Sequence, residues 1–243
     1  MPRFFVSPEL LSGSTVTLDG PQSAHAKVLR LAPGDEVFLC DGQGQDARCV
    51  VSAAGDPFVL EIQEIFPSRT EPALRCSVYM GYPKADKFEH VIQKATELGA
   101  WELVVFPCAR SISRPDSKSV SKKLERWKKI AASAAEQSGR GRVPRVLALD
   151  SFDEAVRRAA RAQLAVLFYE NEHTRSFRAA IESRPFATAA LMTGPEGGLT
   201  GPEVRKALDS GMEVCSLGPR ILRCETAPLC ALSALMYAAD ELA

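Results

Sequence analysis

Two glycine-rich segments near the end of the chain set the tightest limits on what it can fold into. The first is Thr193-Gly194-Pro195-Glu196-Gly197-Gly198-Leu199-Thr200, and the second runs from Leu217-Gly218-Pro219-Arg220 through Ile221-Leu222-Arg223-Cys224 to Glu225-Thr226-Ala227. Each follows a short apolar run, residues 187–193 and 213–217, that reads as a buried strand. Three glycines and a proline within five residues suit neither a helix interior nor a strand interior. Thr200-Gly201-Pro202-Glu203 matches a capping box and starts a helix there. Thr226 reads as the N-cap of a last helix, with Pro228 in its first turn. A strand, a glycine turn and a helix in sequence expose backbone N–H and C=O groups at the carboxyl end of a sheet, where open α/β proteins bind ligands. One such loop is explained equally well as a tight turn; two of them favour a ligand site.

The rest of the chain fits an α/β protein. Strand and helix patterns alternate from residue 73 onward: strands at 74–80, 102–107, 145–149 and 163–169, and helices at 86–98, 119–137, 151–161 and 174–182. The last helix, 228–240, is apolar on most sides, so it is buried or covered by a second subunit. Residues 1–66 differ. Short alternating runs at 15–18, 36–40, 48–52 and 58–65, a hairpin turn at Asp41-Gly42-Gln43-Gly44 and one short helix over His25–Leu31 predict a small β-barrel. Pro67–Pro72, polar with two prolines, reads as a linker, which gives domains of 1–70 and 73–243.

Charge and cysteine usage narrow the function. The formal net charge is zero, yet residues 110–145 hold eleven Lys and Arg against three acids. That segment is either a solvated helix face or a phosphate-binding patch. Arg3, His25, Lys27 and Arg30 in the N-terminal region, with Arg110, Arg114, Arg140 and Arg142 in the basic segment, are the candidate contacts to the phosphates of a nucleic acid. The seven cysteines form no C-x-x-C and the three histidines lie far apart, so no metal site is expected. The chain has no membrane-length apolar run and its first residues form no signal peptide, so a cytoplasmic location is expected. The P-loop, dinucleotide and nucleophile-elbow motifs are all missing.

Taken together, Gly194-Pro195-Glu196-Gly197-Gly198 and Leu217-Gly218-x-x-Ile221-Leu222-Arg223-x-Glu225-Thr226-Ala227 resemble the C-terminal signature of the SPOUT methyltransferases. Arg3-Phe4-Phe5, His25 with Val28-Leu29-Arg30, Gln93-Lys94-Ala95-Thr96-Glu97-Leu98-Gly99 and Glu136-Gln137-Ser138 with Arg140 resemble one branch, the RsmE family. Cys224 departs from that pattern, where the family usually has threonine. The resemblance implies a mostly parallel, trefoil-knotted α/β sheet with helices on both faces, preceded by a PUA-like or OB-like barrel. It implies S-adenosylmethionine as cofactor, N3 of a uridine in the decoding region of 16S rRNA as target, the small ribosomal subunit as partner, and a homodimer. The alternatives are a SPOUT enzyme acting on another RNA and a non-catalytic ribosomal RNA-binding module.

On that reading Leu167, Phe168, Met192, Leu217, Ile221 and Leu222 wall the cofactor, and Gly194, Gly197, Gly198 and Gly218 admit it, with Pro195, Glu196, Thr226 and Ala227 alongside. Because the cofactor carries a sulfonium, nearby cations are expected to be avoided. Arg223 is the candidate for stabilising negative charge on uracil or holding its phosphate. Glu196 and Glu225 are candidates for taking the N3 proton or for ordering the loops.

Overall fold

The structure is a computed structural model and describes residues 1–112 and 117–242. It divides into two compact units, Met1–Glu71 with Ala135–Val143, and Pro72–Ala134 with Pro144–Ala243.

The first unit holds β1 (Arg3–Phe5), β2 (Thr15–Leu18), α1 (Gly20–Val28), β3 (Glu36–Cys40), β4 (Gln45–Ala53) and β5 (Phe58–Pro67). These strands form one curled sheet in the order β1-β3-β4-β5-β2. All pairs are antiparallel except β1 with β3. Alternation sends Leu18, Val37, Leu39, Ala47, Cys49 and Leu60 into its core. Asp41 shapes the β3–β4 turn by accepting from the N–H groups of Gln43 and Gln45 at 2.7 and 2.9 Å. α1 begins at Gly20, ahead of the expected His25, because Pro21 in its first turn is pre-set for a helix start. The supposed linker is pinned. Thr70 Oγ1 donates to the Gly139 carbonyl at 2.8 Å, and Glu71 accepts from Arg140 Nη2 at 2.7 Å.

The second unit contains β6 (Arg75–Gly81), α2 (Lys87–Glu97), β7 (Glu102–Phe106), α3 (Ser117–Gln137), β8 (Arg145–Ala148) and α4 (Phe152–Ala159). It continues with β9 (Leu164–Phe168), α5 (Phe177–Glu182), β10 (Thr188–Thr193), α6 (Gly201–Asp209), β11 (Glu213–Cys215) and α7 (Thr226–Ala238). The last turn of α3, from Ala135, groups with the first unit. The six strands are all parallel, in the order β11-β9-β10-β6-β7-β8. β10 thus enters between β6 and β9, both laid down earlier in the chain, as the knotted SPOUT sheet requires. Strands β7, β9 and most of β10 are buried along their whole length, which is why they read as unbroken apolar runs. One face of the sheet, including Tyr79, Val104, Leu167 and Met192, packs on α4 and α6. α2 and α7 pack against each other, and α7 lies against β6 and β10.

Helix ends follow local chemistry. Gly99 (φ 88°) and Gly139 (φ 74°) stop α2 and α3 in the left-handed conformation. At α6 the expected capping box forms between Thr200 and Glu203. Glu203 accepts from the Thr200 N–H at 2.8 Å and from the Thr200 hydroxyl at 2.7 Å. Thr226 is not an N-cap. The N–H groups of Thr226 and Ala227 both donate to the Arg223 carbonyl, which draws Thr226 into the first helical turn and leaves Glu225 at the cap.

Candidate functional site

The carboxyl ends of β9, β10 and β11 open onto a cavity of about 630 Å³, a volume typical of a small-molecule site. Its walls come from both glycine loops, from Phe168, Tyr169 and Glu170 after β9, and from Lys87 at the start of α2. Parallel strands that end together bring these loops together, although they are separated in sequence.

The glycines are explained by position. Gly198 has φ 66°, and a Cβ there would collide with the Glu170 carboxylate. A Cβ on Gly197 would stand 3.0 Å from Arg110 Cβ, and one on Gly194 3.1 Å from Leu199 Cγ. Gly218 has φ 102°, so any other residue would be strained there even though the space beyond it is open. In the second loop the N–H of Gly218 is held by Ser216 Oγ at 3.1 Å. Among the described residues the N–H groups of Leu217, Ile221 and Leu222 donate to no protein group. The loop therefore offers free donors beside an apolar surface.

Most of the expected pocket residues line the cavity: Phe168, Gly194, Pro195, Glu196, Gly197 and Gly198 from β9 and the first loop, and Leu217, Gly218, Ile221, Leu222, Arg223 and Ala227 from the second loop and the start of α7. Leu167 and Met192 do not. Both are fully buried in the core beneath α4 and α6, because their alternation along β9 and β10 points them into the sheet packing. Thr226 and Glu225 are not lining residues, although Cys224 and Ala227 on either side of them are. Lys87, Glu170 and His173 line the cavity without having stood out in the sequence, since only the strand order carries their segments there, and Arg220 enters it with the second glycine loop.

Cations are not avoided. Arg220 and Arg223 are exposed at the rim. Lys87 is neutralised in place, with Nζ 2.9 Å from Glu196 Oε1 and 3.2 Å from Glu225 Oε2. Glu196 also accepts from the Lys84 N–H at 3.0 Å. The Cys224 thiol donates to Glu225 at 3.2 Å, as a threonine hydroxyl would. Burial by itself would raise both carboxyls, but Lys87 and the neighbouring donors outweigh it and hold Glu196 and Glu225 below the ordinary carboxylate value. The Lys87 ammonium is raised, chiefly by its bond to Glu196. Burial, and then the adjacent carboxylates, push the Cys224 thiol up to about 12, so it stays protonated and is no nucleophile.

The candidate RNA contacts fare differently. Arg3 is nearly buried and donates to Asp46 at 2.8 Å, and Arg140 is buried against Glu71. Arg142 donates to the Gln43 carbonyl, and its own N–H donates to Glu71. Arg110 donates to the carbonyls of Gly197 at 3.0 Å and Leu199 at 3.3 Å, so it braces the first glycine loop. These four guanidinium groups have partners within the protein and brace the fold. His25 and Lys27 stay half-exposed beside Glu136 and Asp56. Arg30 is exposed, and its side chain has no partner among the described residues. Arg114 lies outside the described residues.

Residues 70–236 match the family described as RNA methyltransferase domain, and residues 18–63 match the RNA methyltransferase PUA domain. The chain is 38% identical to ribosomal RNA small subunit methyltransferase E of Bacillus subtilis, across 100% of this chain and 98% of that protein. It is 34% identical to the enzyme of the same name from Mycobacterium tuberculosis, across 96% and 90%. A crystal structure of ribosomal RNA small subunit methyltransferase E from Neisseria gonorrhoeae bound to S-adenosyl methionine superposes with a TM-score of 0.86 at 31% identity, covering 98% and 97% of the two chains.

Proposed function

Because the chain belongs to the ribosomal RNA small subunit methyltransferase E family, we propose that it methylates N3 of a uridine in the decoding region of 16S rRNA, with S-adenosylmethionine as donor. The observation that supports this most directly is the cavity itself: two glycine loops, unpaired backbone donors and apolar side chains meet at the carboxyl ends of parallel strands. These features suit an adenosyl ligand. Gly194, Gly197, Gly198 and Gly218 would let its flat ring and ribose approach the backbone, and Leu217 and Leu222 would flank it.

When bound, the cofactor supplies an electrophilic methyl group on a positively charged sulfur. The chain's own residues then have to hold the uracil and stabilise charge as the N3 proton leaves. Arg223 is exposed at the cavity rim and has no carboxylate partner among the described residues, so it is placed to stabilise negative charge on uracil O2 or O4, or to hold the adjoining phosphate. Glu196 and Glu225 are poor bases, since their pKa values lie on the wrong side of the operating range and Lys87 occupies them. Their role is to order the loops. We assign RNA recognition to the first unit, through Arg30, His25 and Lys27, and the enzyme to the cytoplasm. We also assign it a homodimeric state. The apolar outer stripe of α7 supports this, with Tyr237 77% exposed and Cys230 and Ala234 exposed beside it.

The test begins with calorimetric titration by S-adenosylhomocysteine. The native chain is expected to bind, and Gly197→Trp, which drives a large side chain into Arg110, is expected not to. Small subunits that lack the modification are then incubated with the enzyme and labelled cofactor, and the 16S rRNA is mapped by mass spectrometry. Label on a ribose, or on another RNA, would overturn the uridine N3 assignment.

A further inference from the structure

Lys87 belongs to neither glycine loop, yet it touches both. Glu196 stands in the middle of the first loop, and Glu225 closes the second at the start of α7. One ammonium reaches a carboxylate of each, at 2.9 and 3.2 Å. Lys87 is itself fixed as the first residue of α2, and the segment leading into α2 is bound to the same Glu196 through the Lys84 N–H. The Cys224 thiol is also within 3.7 Å of the ammonium. All three charged side chains are only 22–29% exposed, so their attractions are less screened than those of a surface pair. Among the described residues Lys87 is the one cation that joins carboxylates of both loops.

We propose that Lys87 is a positioning residue that ties the two glycine loops into a single ligand-ready arrangement. The identity of the ligand rests on the methyltransferase reading; the tie itself does not. Without the ammonium the two carboxylates face each other across an empty place, and their mutual repulsion pushes the loops apart. The loss is therefore pH-dependent in a way that a packing defect is not. Protonating one carboxylate relieves the repulsion, so function returns as the pH falls.

Hydrogen–deuterium exchange of the ligand-free protein tests the tie directly, and titration with S-adenosylhomocysteine tests its consequence for the cavity. In Lys87→Met, amides in both loops are expected to exchange faster by about tenfold, the scale of a lost charge-assisted hydrogen bond. S-adenosylhomocysteine is expected to bind about tenfold more weakly at ~pH 8 and to recover toward the native affinity at ~pH 5. Lys87→Arg is expected to keep most of the loop protection and affinity. Should Lys87→Met not fold, Glu225→Gln retains the Lys87–Glu196 pair and is expected to loosen the second loop alone. Native exchange in both loops of Lys87→Met, or in the second loop of Glu225→Gln, would overturn the proposal. So would a pH-independent loss of affinity that arginine does not rescue. If the native chain fails to bind S-adenosylhomocysteine while Lys87→Met still loosens both loops, the tie stands and the methyltransferase reading falls.

Discussion

At the scale of single residues, the sequence identifies chemistry and the fold decides its use. A guanidinium is legible as a positive charge, but whether it faces a ligand depends on an acid that arrives from elsewhere in the chain. Arg140 meets Glu71, 69 positions away, and Arg3 meets Asp46, 43 positions away. Neither partner stands out in the sequence. Arg223 has no such partner among the described residues, and that gives it a distinct expected phenotype. Arg223→Ala should lower turnover by about a hundredfold, the usual effect of removing one donor to developing negative charge. Affinity for S-adenosylhomocysteine should stay within about twofold, because an interaction made only as charge develops leaves ground-state binding alone. Single-turnover kinetics beside calorimetry separate the two. Parallel losses in both would make Arg223 a cofactor ligand instead.

At the scale of elements, boundaries were legible where one residue type dictates them. Gly99 and Gly139 stop their helices because left-handed backbone favours glycine, and Pro202 and Glu203 mark the start of α6. α7 starts before a cap at Thr226 would place it, because the Arg223 carbonyl accepts from the N–H groups of Thr226 and Ala227 and so closes a turn one residue earlier, with Glu225 at the cap. Glu203 does more than cap. Its second oxygen accepts from the Ala109 N–H at 2.8 Å, which joins the loop after β7 to the start of α6. Glu203→Ala should therefore cost about 1–3 kcal/mol in urea unfolding, above a typical cap alone, since two backbone donors lose their partner. On α7, Tyr237→Arg should place a charge in the apolar stripe and yield monomers by sedimentation, with Cys230 then reacting faster with a thiol reagent. An unchanged sedimentation coefficient would remove the support that α7 gives to a dimer.

At the scale of the whole molecule, acid is expected to destabilise the fold. A carboxylate whose folded pKa lies below its unfolded value contributes stability that is complete above the unfolded value and is lost as the pH falls through the folded one. Glu172 is held at about 2 against an ordinary 4.5, first by the Thr174 hydroxyl and then by the N–H groups of Thr174 and Arg175. Glu196 and Glu225 are lowered as well, while Glu136, raised by burial, runs the other way. The thermal midpoint should thus fall as the pH drops from ~4.5 toward ~2. A midpoint flat across that window would mean these carboxylates keep their partners in the unfolded chain too.

The sequence by itself determined the two-part organisation of strand and helix patterns, the parallel α/β class and the positions of the two glycine loops. Each of these rests on local rules: the periods of strands and helices, the backbone freedom of glycine, the family signature carried by contiguous residues. What only the tertiary structure decided is which charges face the cavity and which brace the fold. The passage of β10 between β6 and β9 brings the segments of Lys87 and Glu170 to the cavity of the glycine loops, while packing on α4 and α6 withdraws Leu167 and Met192 from it. Those outcomes depend on strand order and on pairings between distant residues, and no periodicity along a chain encodes either.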